Sequence, residues 1–154
     1  MSKSHYTRAV LLEMAVAVEE SAKDFYDSVS KRFPQHRAVF EQLAKDEDEH
    51  AKRYRQLLAG EGVYSTGEER ALADYNIKVL EDAGIIGNLR MGAERAREVA
   101  DLRTAVEAAV QLEKDTSLFY HSLAMGLGPG DRQEIYKIIQ VEYNHLYKVQ
   151  HLKP

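Results

Sequence analysis

The 154-residue chain is the size of one domain and is expected to carry one site rather than two. It has no cysteine, which excludes disulfides, thiolate metal sites and thiol nucleophiles, so any metal must bind through carboxylate and imidazole. A formal charge of -4 with interspersed signs leaves no footprint for nucleic acid or anionic lipid, and no apolar run approaches the roughly 18 residues of a membrane span.

The start of the chain, Met1 to Arg8, is polar and leads into a helical pattern without the apolar run of a secretory signal, which predicts a cytoplasmic protein. Apolar residues then recur at helical spacing through most of the sequence, interrupted by prolines at positions 34, 129 and 154, so the class is all-α. The first helix is expected from about Tyr6 to Lys31. Pro34 reads as the start of a second, over about residues 35–59, antiparallel to the first because the connection is short. Gly60 and Gly62 end it. A glycine-dotted connection over residues 60–101 follows, with short helices around Glu68 to Asp82. A third helix is predicted from about Leu102 to Met125 and a fourth from about Asp131 to His151, joined by Gly126-Leu127-Gly128-Pro129-Gly130. Two hairpins of long helices, joined by one crossover, predict a single four-helix bundle spanning 1–154.

The two hairpins resemble each other at an offset of 94 to 95 residues. Val18-Glu19-Glu20-Ser21-Ala22-Lys23-Asp24-Phe25-Tyr26 lines up with Leu112-Glu113-Lys114-Asp115-Thr116-Ser117-Leu118-Phe119-Tyr120. Each half thus has a glutamate seven residues before a Phe-Tyr tyrosine. In the second helix of each half, Glu47-Asp48-Glu49-His50 aligns with Glu142-Tyr143-Asn144-His145, and both read Glu-x-x-His.

A lone Glu-x-x-His means little among sixteen glutamates and six histidines; the surroundings decide. Residues three, four and seven apart share a helix face. On that criterion Glu47 keeps Phe40, Leu43, Ala44, His50, Ala51 and Tyr54. Glu142 keeps Ile135, Ile138, Ile139, His145, Leu146 and Val149. Glu113 keeps Val106, Ala109, Val110, Thr116, Ser117 and Tyr120, and Glu19 a similar stripe with Lys23 as its charged exception. Glu20 and Glu49 are the contrast: Glu49 shares its face with Gln42, Lys45, Asp46, Lys52, Arg53 and Gln56, a solvent stripe. His5, His36, His121 and His151 lack an apolar-stripe glutamate and read as surface or packing residues.

Four buried carboxylates without compensation would each cost several kcal/mol, so the pattern demands protonation or cations. Four carboxylates and two neutral imidazoles balance two divalent ions, and this ligand set suits iron or manganese. One glutamate from each of two helices, with Glu-x-x-His from each of the other two, is the pattern of ferritin-like di-iron and di-manganese bundles. The predicted ligands are Glu19, Glu47, His50, Glu113, Glu142 and His145. Tyr26 and Tyr120 lie near the ligand stripes and lean toward the helix N-terminus, so each either points its hydroxyl at the site or packs in the core.

These residues resemble the rubrerythrin family of the ferritin-like superfamily, over both hairpins, about two thirds of the chain. The first-helix pattern Glu-x-x-Ala with a following aromatic is matched by Glu19, Ala22 and Tyr26; the second-helix pattern is matched by Glu47, His50 and Ala51-Lys52-Arg53. The resemblance implies that Glu19 and Glu113 chelate one iron each, that Glu47 and Glu142 bridge, and that His50 and His145 cap one iron each. Two departures stand out. The four-cysteine rubredoxin-like iron site is lacking, so a separate electron-donor protein is expected. The additional third-helix glutamate has no counterpart three residues either side of Glu113, where Val110 and Thr116 stand.

The expected function is a two-iron redox protein that reduces hydrogen peroxide. The alternatives are a ferritin-like ferroxidase using oxygen, a non-catalytic bundle holding zinc or manganese, and, ranked below these, an oxygen-dependent hydroxylase. The resemblance also implies at least a homodimer. Leu57, Leu58, Ile77, Val79, Leu80, Ile85 and Ile86 are the candidates to close the bundle or to form that contact.

Overall fold

The computed structural model describes residues 6–63, 65 and 67–153, and His5 lies outside the described residues. The regular structure is helical: α1 (Arg8–Arg32), α2 (Arg37–Ala59), α3 (Gly67–Asp82), α4 (Ile85–Leu89), α5 (Gly92–Glu98), α6 (Leu102–Met125) and α7 (Pro129–Gln150). Helices α1 and α2 pack along each other as one hairpin and α6 and α7 as the other, together making the four-helix bundle. No helix is long and apolar enough to cross a membrane among the described residues.

Local chemistry sets the helix ends. Thr7 Oγ1 accepts a hydrogen bond from Val10 N at 3.1 Å and starts α1. Asp101 and Thr104 form a reciprocal capping box at the start of α6, each side chain satisfying a backbone N–H of the other. Pro34 opens not α2 itself but a single 3-10 turn, Pro34–His36, that redirects the chain before α2 begins. Pro129 occupies the first position of α7, two residues earlier than the sequence suggested, where its missing N–H has no helical partner to lose.

Residues 60–101 hold more helix than the glycines suggested. Besides α3, the segments α4 and α5 are helical, with α3 along α6, α5 along α1, and α4 against both. Gly84 turns the chain between α3 and α4 in the left-handed region, at φ +80°. Gly92 has a packing role: its N–H donates to Ser21 Oγ at 2.8 Å, and a Cβ there would lie 1.9 Å from the Ser21 carbonyl oxygen. That glycine marks a close helix crossing rather than a loop. Ile77, Leu80 and Ile86 are buried, Leu57, Leu58 and Ile85 pack against the core, and Val79 remains exposed.

Arg8 ties three helices at one end of the bundle. Its Nε donates to Asp131 Oδ2 at 2.7 Å, Nη2 to the Leu57 carbonyl at 2.6 Å and Nη1 to the Gly60 carbonyl at 3.1 Å, so one guanidinium pairs with the start of α7 and satisfies the end of α2. Within the bundle, Leu11, Leu12, Phe25, Phe40, Leu43, Phe119, Leu123 and Ile135 are buried. Each such side chain contributes roughly 1.5–3 kcal/mol of apolar burial, a reserve against which buried polar groups can be held.

Candidate metal centre

The apolar stripes face the bundle axis and carry four glutamates with them. Glu19 on α1, Glu47 on α2, Glu113 on α6 and Glu142 on α7 are all fully buried. His145 is equally enclosed, and His50 keeps 8% of its surface, the one opening among the six. Glu20 and Glu49 are exposed, as their stripes required.

These six side chains form two overlapping clusters. Glu19, Glu47, His50 and Glu142 each offer one ligand atom, all within 4.8 Å of one another, and Glu47, Glu113, Glu142 and His145 do the same. Glu47 and Glu142 belong to both clusters and stand where bridging carboxylates would. His50 Nδ1 lies 2.9 Å from Glu142 Oε1, 3.2 Å from Glu19 Oε2 and 3.4 Å from Glu47 Oε1. His145 Nδ1 lies 3.3 Å from both Glu47 Oε1 and Glu113 Oε2 and 3.9 Å from Glu142 Oε1.

Whether this set fits metal is tested by its hydrogen bonds. Both oxygens of Glu47 and Glu142, Oε2 of Glu113 and Nδ1 of His145 are buried without an aligned hydrogen-bond partner, although several lie within 3.5 Å of one another. Buried polar atoms are nearly always satisfied, and groups that approach closely without donor-to-acceptor alignment are converging on common points instead. Carboxylate oxygens and imidazole nitrogens around two such points fit a pair of divalent ions.

In the metal-free protein, protons take the place of the cations. Burial opposes charge on both histidines, but Glu19 and Glu47 beside His50 outweigh it and raise its pKa to about 10; Glu113 and Glu47 raise that of His145 to about 11. Burial and then the Glu47 charge push Glu19 and Glu113 up to about 7. Burial and the three neighbouring carboxylates hold Glu142 well above the usual range, while at Glu47 burial is outweighed by His145 and His50, which hold it down to about 2.

The tyrosines point at the site, each at the opposite half. Tyr26 of α1 donates to Glu113 Oε1 of α6 at 3.2 Å, and Tyr120 of α6 donates to Glu19 Oε1 of α1. Sequence reasoning had related each tyrosine to the glutamate on its own helix. It also gave no part in the site to two residues that it had placed on helix faces. Tyr54, fully buried on α2, packs its ring 5.4 Å from that of Tyr120. Asp46, assigned to the solvent stripe of Glu49, is half-buried and accepts from His145 Nε2 at 3.0 Å. A stripe argument places Asp46 correctly on its helix but sees nothing of α7, where its partner lies. His121 and His151 are exposed, as expected.

The architecture is shared with known proteins. A solved structure from Thermotoga maritima, described as a ferritin-like diiron-carboxylate protein, is 23% identical, with a TM-score of 0.66 over 97% of this chain and 95% of that one, a likeness of fold. No curated protein matches the chain. The rubrerythrin family model matches residues 11–153, taking in both hairpins and the connection between them. The chain belongs to the rubrerythrin family.

Proposed function

We propose that this protein is a di-iron redox protein that reduces hydrogen peroxide. The observation that supports it best is the pair of overlapping four-ligand clusters sharing Glu47 and Glu142 inside a closed bundle. Glu19 and His50 would hold one iron and Glu113 and His145 the other, with Glu47 and Glu142 between them. When bound, the iron pair supplies Lewis acidity and the two electrons that, with two protons, convert one peroxide to two waters.

The chain's own residues set the conditions for that chemistry. The four glutamates match the charge of two divalent ions, and the Tyr26 and Tyr120 hydroxyls hold the outer carboxylates in place. Of the six candidate ligands only His50 keeps any exposure, which favours a small oxidant such as peroxide or oxygen over a larger organic substrate. With no cysteine in the chain, the reducing electrons come from a separate donor protein. We place the protein in the cytoplasm and expect at least a homodimer.

A second reading, oxidation of Fe(II) by oxygen as in a ferroxidase, is favoured by one feature of α6. Val110 and Thr116, one turn either side of Glu113, offer no additional carboxylate to follow a change in iron charge. Manganese or zinc would fit the same ligands. Anaerobic loading with Fe(II), then stopped-flow mixing with hydrogen peroxide and separately with oxygen, separates the readings. About two irons per chain that oxidise faster with peroxide support the peroxidase; faster oxidation by oxygen favours the ferroxidase, and failure to bind two metals sinks both.

A further inference from the structure

The two metal positions are built from duplicated halves, yet their surroundings differ at one point. At the offset of 95 residues that aligns Glu47 with Glu142 and His50 with His145, Asp46 aligns with Val141. Asp46 reaches from α2 to α7, where its Oδ2 receives the His145 Nε2 proton at 3.0 Å. Its other oxygen, Oδ1, accepts from Gln42 Nε2 at 2.8 Å, so the carboxylate is itself held. The corresponding reach from α7 to α2 starts at Val141, whose isopropyl group can accept nothing. His50 accordingly has no carboxylate on its outward nitrogen among the described residues, and it is the ligand with residual exposure.

We propose that Asp46 makes the two metal positions unequal, so that the position capped by His145 binds more tightly and fills first while the position capped by His50 is the exchangeable one. This rests on the two-metal reading above. A carboxylate on the outer nitrogen of a metal-bound histidine fixes the tautomer with its lone pair inward, locks the ring and raises its basicity; losing such a partner typically costs about ten- to a hundredfold in metal affinity. The other supporting contacts do not cancel the difference, because each outer glutamate receives one tyrosine hydroxyl. Asp46 is a positioning residue and touches no metal.

Repulsion between two cations would also produce two-step binding, so the test must identify which position each step fills. The intact chain is titrated with Co(II), following visible absorption for the two affinities and the paramagnetically shifted imidazole N–H protons by NMR. In the wild type, the first equivalent is expected to bring out one slowly exchanging N–H proton, that of His145 shielded by Asp46. Asp46→Ala should weaken the first step about ten- to a hundredfold and make that proton exchange rapidly, with Asp46→Asn, which keeps an acceptor without the charge, falling between. Val141→Asp should supply the missing partner and tighten the second step. Unchanged steps in Asp46→Ala, or a first equivalent that reports His50, overturn the proposal. A wild type that binds fewer than two Co(II) overturns the two-metal reading beneath it.

Discussion

The Tyr26 hydroxyl donates to Glu113 Oε1 at 3.2 Å, linking α1 of one hairpin to an outer carboxylate of the other, and Tyr120 returns the contact to Glu19. Each half of the duplicated chain therefore supports a candidate ligand that belongs to its counterpart. Hydrogen bonds to a charged group contribute roughly 1.5–3 kcal/mol when the partner is buried. Tyr26→Phe is expected to lower the melting temperature by a few degrees or more and to weaken metal binding at the Glu113 position, whereas Tyr120→Phe should weaken it at the Glu19 position. Co(II) titrations of the two variants check the crossing; both acting on the same binding step would refute it.

Loading metal must displace protons. At about neutral pH the two histidines, raised to about 10 and 11, give up one each, Glu19 and Glu113 near 7 together give up about one more, and Glu142, raised by burial and its neighbouring carboxylates, adds to the release. The release is about three protons or more for two metals, measurable as the buffer dependence of the calorimetric heat. Apparent affinity should fall as pH falls. A release of less than about one proton per pair would contradict the protonated metal-free centre.

The same shifts predict opposite pH dependences for the stability of the two forms. His50, His145, Glu19, Glu113 and Glu142 all hold protons more tightly folded than unfolded, so their contribution to the metal-free fold falls as pH rises, from the carboxylate range through about 10 and 11. Glu47, held down to about 2, contributes stability that is fully present above the ordinary carboxylate pKa and is lost progressively as pH falls from there to about 2. Bound metal adds about 2.7 kcal/mol per site at a hundredfold excess over Kd, and about 2–4 °C accompany each kcal/mol in a chain this long. The gap in melting temperature between loaded and chelator-treated protein should therefore widen between about pH 5.5 and about pH 8.5. A gap that narrows would show the sign to be wrong.

Arg8→Met alone leaves Asp131 buried and uncompensated. Breaking such a pair from one side typically costs about 3–5 kcal/mol, whereas replacing both partners by apolar groups is close to neutral. Arg8→Met is expected to shift the urea midpoint strongly, and Arg8→Met with Asp131→Leu to recover most of the loss. Both should still bind two metals at saturation.

Gly92 and Gly87 make a contrasting pair. A Cβ at Gly92 would meet the backbone of Ser21, so Gly92→Ala should cost about 1–3 kcal/mol or more as α5 lifts from α1. Nothing lies within 4 Å of a Cβ at Gly87, in the short helix α4, and Gly87→Ala is expected to be neutral or stabilising by up to about 1 kcal/mol. Thermal melts of the two variants measure the difference directly.

The sequence by itself determined the helices of the bundle and the inward direction of the six candidate ligands. Both are local properties: a period of 3.6 residues fixes which side chains share a face, and a glutamate on an apolar stripe is carried inside with it. The duplication made the pattern legible twice, in Glu19 with Glu113 and in the two Glu-x-x-His motifs. What lies between helices was not local. Asp46 looked solvated because its own helix surrounds it with polar residues, and only the approach of α7 gave it His145. Tyr26 and Tyr120 exchange partners because the glutamate on each one's own helix lies seven residues, roughly 10 Å, back along the axis, whereas the carboxylate of the other half comes within hydrogen-bond reach across the bundle. Gly92 was one glycine among several in the connection over 60–101, because a close helix crossing and a turn both require the smallest residue, and only the position of Ser21 distinguishes them. Periodicity placed each side chain on a face; the packing of helix on helix decided what that face meets.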